Sequence, residues 1–182
     1  MFKMKTTLIG LAVAMAMGAS ASAADLSRGD QKFLKNAAEI GMLQVEAGKV
    51  AAQKAQHADV KAFAEMMVAD HTKVNAELKT LSSNKNFTQP TALEGGKKRD
   101  LDGLNKRTGH DFDEEYADEI AVDLTDDAVD LYEDAAEDAK DADIKAFAAK
   151  TLPTLKAQLE KGKALEKAVD DAKEKRPATA KP

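Results

Sequence analysis

The chain has no cysteine and no tryptophan, and only four prolines and three histidines in 182 residues. Without cysteine there is no disulfide, no cysteine nucleophile and no thiol for a lipid anchor. Aromatic residues make up 4% of the chain, so any core must be built mainly from aliphatic side chains and alanine. No glycine-rich phosphate loop and no serine-triad signature is present. Positive charge is the minority, with 27 Lys and Arg against 32 Asp and Glu and a formal net charge of -5. An acidic chain without a basic stripe is a poor partner for nucleic acid or an anionic membrane surface.

The one long apolar run lies at the N-terminus. Lys3 and Lys5 precede an apolar stretch from Leu8 to Ala19, and Ala21-Ser22-Ala23 supplies small residues for cleavage. This is the pattern of a secretory signal peptide, and the run is too short to span a bilayer. The expectation is a periplasmic protein, exported by its signal peptide and not a lipoprotein. Removing Lys3 and Lys5 leaves 25 basic residues against 32 acidic ones, so the net charge of -5 becomes -7. The expected organisation is a signal peptide at 1–23, one helical domain at 24–172 and a disordered tail at 173–182, where the apolar face ends.

Apolar residues recur at spacings of three and four, which predicts helices. The first starts at Ser27, where Asp30 stands three residues after a capping hydroxyl, and ends near Gln56. Its stripe is Phe33, Ala37, Ile40, Gln44, Ala47 and Ala51. The second, with Asp59 as expected cap, carries Val60, Ala64, Met67, His71, Val74, Leu78 and Leu81. A loop with Pro90 and Gly95-Gly96 follows, then a short helical piece over about 98–107. The third helix is expected over 111–139. Of the 33 residues from Asp111 to Asp143, 16 are Asp or Glu, yet Ile120, Leu124, Ala128, Leu131 and Ala135 keep one apolar stripe. The acids fit a solvated outer face. In the fourth, Ile144, Ala148, Thr151, Leu155, Gln158, Gly162, Leu165 and Val169 hold one phase through Pro153, which predicts a kink rather than a break. His57 and His110 lie near turns and are expected to be exposed.

An internal repeat organises these helices. Ala58-Asp59-Val60-Lys61-Ala62-Phe63-Ala64 returns 84 positions later as Ala142-Asp143-Ile144-Lys145-Ala146-Phe147-Ala148, with Ile for Val the one change. Short turns near 57–59 and 140–143 make two antiparallel hairpins, and the connection from 84 to 110 is long enough to cross a bundle. The expected fold is therefore all-α: a ferritin-like four-helix bundle, two antiparallel hairpins joined by a long crossover.

Three stripes contain a polar residue where an apolar one belongs: Gln44, His71 and Gln158. From Gln44 to the turn near Ala58 is 14 residues, about 21 Å at 1.5 Å per residue. From that turn to His71 is 13 residues, about 20 Å. From Gln158 back to the second turn is 17 residues, about 25 Å, and the same distance back along the third helix reaches Leu124 and Thr125. Gln44, His71, Thr125 (or Leu124) and Gln158 thus form a candidate layer. The Glu-x-x-His ligand motif of di-iron bundles is absent, because Val68 stands three residues before His71 and Leu155 three before Gln158. One imidazole with two carboxamides is a weak transition-metal shell, so no cofactor is expected.

The stretches Asp30-x-x-Phe33-x-x-x-Ala37-Ala38, Val60-Lys61-Ala62-Phe63-Ala64-x-x-Met67-Val68-x-Asp70-His71, Gly109-x-x-Phe112-Asp113-x-x-Tyr116 and Leu152-Pro153-x-Leu155 resemble an exported bacterial ferritin-like family of unknown function, DUF4142. The resemblance covers residues 28–169. It implies a periplasmic or envelope four-helix bundle, often described as an outer-membrane protein. It also implies Glu at the position of Gln44 and His near 124 or 125 and at 158, so that here His71 alone remains of a depleted layer.

Three functional readings follow. The first is a non-catalytic periplasmic or envelope bundle acting through its surface, for example in stress tolerance. The second is a metal-binding, ferritin-like protein using His71 with Gln44, Gln158 and nearby carboxylates such as Asp70. The third places function on the acidic helix over 111–139, as a divalent-cation buffer or a docking face for a basic partner.

Overall fold

The computed structural model describes residues 26–174, all of whose regular structure is helical. The expected signal peptide and residues 175–182 of the expected tail lie outside the described residues. Helix α1 (Arg28–Lys54) packs along α2 (Ala58–Asn84). A short helix α3 (Gly95–Lys106) lies on the flank of α1. Then α4 (His110–Glu115), a π-helical segment (Tyr116–Asp123) and α5 (Leu124–Asp138) follow without interruption and pack along α6 (Ala142–Glu174).

Local chemistry sets these boundaries. Ser27 caps α1 by accepting from the Asp30 N–H at 3.1 Å. The expected cap of α2, Asp59, is displaced by His57. The His57 backbone is extended, and its Nδ1 accepts from the Asp59 N–H at 3.2 Å, which puts Asp59 inside the first turn. There its charge still favours the helix dipole. At the other end of α2, Asn86 takes a left-handed φ of 56°. Its N–H reaches Ser83 O, and the Phe87 N–H reaches Ser82 O at 2.9 Å, so two orphan carbonyls are satisfied by a residue type that tolerates that conformation. Helix α6 runs unbroken through Pro153. His57 and His110 are not fully exposed as expected: their side chains retain 23% and 13% of their accessible surface.

Each apolar stripe turns inward. Leu34, Leu43, Val60, Met67, Ile144 and Leu155 are almost wholly buried, each worth about 1.5–3 kcal/mol on removal from water. Every expected stripe position of α6, from Ile144 to Val169, is buried.

The two ends are tied by buried carboxylates. Asp30, in the first turn of α1, accepts from the backbone N–H of Lys140 in the α5–α6 turn at 3.0 Å. Asp113, in the first turn of α4, accepts from the N–H groups of Gln56 and His57 in the α1–α2 turn, at 3.0 and 2.9 Å. Both aspartates are 2% exposed. An aromatic cluster lies beside each brace: Phe33 with Tyr132 and Phe147, and Phe63 with Tyr116 and Phe112. Lys85, just past α2, bridges Asp141 at 2.7 Å and Asp143. The end of α2 therefore lies at the α5–α6 turn, while the start of α4 lies at the α1–α2 turn. The intervening connection, with α3, must run from one end to the other. Lys54 closes it by donating to the last carbonyls around α3, Asn105 O and Arg107 O.

Asp113→Ala strips the Gln56 and His57 backbone donors of their buried acceptor. It is expected to lower the unfolding free energy by about 1–3 kcal/mol in urea titrations. Asp111→Ala, on the exposed side of the same turn, should stay within about 0.5 kcal/mol of the parent.

Candidate functional site

Gln44 on α1, His71 on α2, Thr125 on α5 and Gln158 on α6 are all buried, at 1%, 3%, 0% and 2% exposure. They form two hydrogen-bonded pairs. His71 Nε2 lies 3.2 Å from Gln158 Oε1, and Gln158 Nε2 donates to Asp70 Oδ2 at 3.2 Å. The Asp70 carboxylate can only accept, so it holds the Gln158 amide nitrogen and turns Oε1 toward the imidazole. His71 must then donate from Nε2, as the neutral Nε2–H tautomer. In the second pair, Gln44 Nε2 donates to Thr125 Oγ1 at 3.5 Å, and Thr125 Oγ1 donates to Ile120 O at 3.2 Å. Gln44 Oε1 has no partner. No hydrogen bond joins the two pairs among the described residues. Thr125, rather than its apolar neighbour Leu124, is the residue that meets Gln44.

Asn75 also belongs to this region and breaks no apolar stripe, so periodicity passes over it. Its buried Oδ1 is unpartnered and occupies the niche over Gly41, where a Cβ would stand 2.0 Å away. The signal for it was the glycine one turn before Gln44, on the buried side of α1.

Burial sets the electrostatics. His71 is pushed down from 6.5 to about 4 by desolvation, which outweighs the Gln158 hydrogen bond and the charge of Asp70. The donor set does not fit a transition metal. The Nε2 of the single imidazole is committed to Gln158, its partners are amides and a hydroxyl, and no three of His, Cys, Asp and Glu gather to hold an ion among the described residues.

The acids of the continuous rod made by α4, the π segment and α5 form a separate feature. A cleft of about 550 Å³ lies between α3 and the π segment, floored by Leu43 and Leu104 and walled by Glu115, Glu119 and Asp123 among others. Glu119 is raised above the usual carboxylate range, first by desolvation and then by the charges of Asp123, Asp118, Glu115 and Asp100. Glu166 on α6 is raised in the same way, by desolvation and then by Asp118, Asp170 and Asp123. Repulsion on this face therefore crosses helices.

These features define an all-helical protein of two end-braced hairpins around a buried layer of two hydrogen-bonded polar pairs. The chain belongs to a family described as Domain of unknown function (DUF4142), whose profile matches residues 15–165. No curated protein and no solved structure matches it.

The His71 shift fixes a pH dependence. The unfolded histidine binds its proton near 6.5 and the folded one near 4, so the unfolded state holds more protons between those values. Stability should be whole above pH 6.5 and fall by about 3 kcal/mol as pH drops to 4. Urea titrations of the parent and His71→Gln at pH 4.5 and 7 will check this, the variant losing less.

Proposed function

We propose that the protein is an exported, non-catalytic helical-bundle protein of the periplasm or envelope that works through its surface. The observation that carries this reading is that the one buried histidine and the buried hydroxyl are both committed to hydrogen bonds inside the core. His71 is tied through Gln158 to Asp70 and Thr125 is bonded at both oxygen functions, so the imidazole and the hydroxyl are engaged within the core rather than aimed at a substrate, while the buried Gln44 Oε1 and Asn75 Oδ1 stay unpartnered. The end-to-end connection and the two hairpins support a ferritin-like four-helix bundle with a long crossover, a topology kept without the carboxylate and histidine ligands of di-iron bundles. The resemblance of residues 28–169 to exported proteins, with the leader pattern of Lys3, Lys5 and Ala21-Ser22-Ala23, supports export. No helix among the described residues is long and apolar enough to cross a membrane.

The acidic rod is the surface best suited to a partner. Asp118, Glu119, Asp123 and Asp126 have no cationic partner within ion-pair distance among the described residues, whereas Glu114, Glu115, Asp127 and Glu133 of the same rod pair with Lys173, Arg107, Lys97 and Lys156. A basic polypeptide would relieve the repulsion that raises Glu119 and Glu166.

Elemental analysis of the protein after exhaustive dialysis should find less than one equivalent of iron, manganese, copper or zinc. A stoichiometric metal that disappears in His71→Ala would establish the metal-binding reading instead. Calorimetric titration with a lysine-rich peptide should give saturable heat at low salt and none at about 1 M, where the screening length is about 3 Å. Absence of heat at low salt would remove the acidic rod as the working surface.

A further inference from the structure

The two hairpins map onto each other through their contacts. Asp30 meets the backbone of Lys140, and Asp113 meets that of Gln56. Phe33 packs against Phe147, and Tyr116 against Phe63. Gln56 and Lys140 are 84 positions apart, as are Phe63 and Phe147. Asp30 and Asp113 are 83 positions apart, as are Phe33 and Tyr116. The ends of the leading helices, Lys54 and Asp138, again differ by 84. The offset thus changes by one somewhere between Tyr116 and Asp138. The second hairpin holds one residue more than the first over the same span. The π segment, Tyr116–Asp123, begins where the offset is still the smaller one.

An extra residue in an α-helix turns everything beyond it by about 100°. Thr125, Ala128 and Tyr132 would then leave the core. Bonding from residue i to i+5 takes up the extra residue in a wider turn, and the Leu124 N–H does bond to Glu119 O. Two features accommodate the wider backbone. Ile120 O receives the Thr125 hydroxyl. Ala121 O bulges toward α6 at Gly162, where a Cβ would lie 2.1 Å from it. Neither feature exists in the first hairpin. The residue 84 positions before Gly162 is Leu78, which is fully buried, and the residue 84 before Thr125 is Gly41, with no side chain.

We propose that the π segment is a one-residue insertion in the second of two duplicated hairpins, and that it is a positioning device for the polar layer. It frees Ile120 O to hold the Thr125 hydrogen, which leaves the hydroxyl oxygen to accept from Gln44, and it requires glycine at position 162. This goes beyond the surface reading and stands independently of it.

Gly162→Ala and deletion of the half-buried Val122 test the idea singly and together. In the full chain, Gly162→Ala should lower the thermal midpoint by roughly 5 °C or more. In the deletion background, where the Ala121 carbonyl has withdrawn, the loss should be roughly half that or less. Equal losses in both backgrounds would overturn the proposal. So would a deletion chain without cooperative unfolding, because an inserted residue is one the hairpin can do without. NMR couplings across hydrogen bonds give a check on the intact protein. The Leu124 N–H should couple to the Glu119 carbonyl five residues back, and a four-residue pattern throughout 116–124 would also overturn it.

Discussion

The structure depends on its two hairpins reaching the same two ends. At each end a turn exposes backbone N–H groups that its own hairpin cannot satisfy, and a buried aspartate from the other hairpin satisfies them. A buried carboxylate without donors would be costly, and so would buried amides without an acceptor. Each half therefore completes the other. The braces also set the length of everything between them. A hairpin with one residue too many cannot simply grow longer, so the surplus appears as a change of helical winding in the Tyr116–Asp123 stretch.

Much of this was legible in the sequence where a pattern repeats. The 58–64 and 142–148 copies gave the hairpins, and Ser27 with Asp30 gave the first helix start. The apolar stripes placed Gln44, His71 and Gln158 in the interior and counting helical rise from the turns let them meet, while the choice between Leu124 and Thr125 depended on the winding of the third helix. The braces were hidden for a physical reason: an aspartate bound to distant backbone looks in sequence like any first-turn acid. The shared Asp-x-x-aromatic of Asp30–Phe33 and Asp113–Tyr116 was the available hint.

The π segment left a clearer trace that three-and-four spacing obscures. Phe112, Tyr116, Ile120, Leu124 and Ala128 are all buried, and each follows the last by four positions. Four such steps would carry an α-helix about 160° round its axis. A face that stays inward over that distance must be wound more loosely. The acids on the opposite side share the same segment, so the interior of the rod carries the adjustment and its exterior carries the repulsion.

The line from Asp70 to His71 has one more consequence. Asp70 is partly solvated, with 35% of its side chain exposed and Lys73 at 4.0 Å, while His71 is in the core. One carboxamide stands between them. An amide can rotate half a turn and exchange its oxygen for its nitrogen in nearly the same space, and only the negative charge of Asp70 forbids that here. Neutralising that charge at the surface would let Gln158 turn over, and the imidazole would then have to move its hydrogen from Nε2 to Nδ1. The protein thus holds a surface charge and the position of a proton in its interior in fixed correspondence, with no charge crossing the space between.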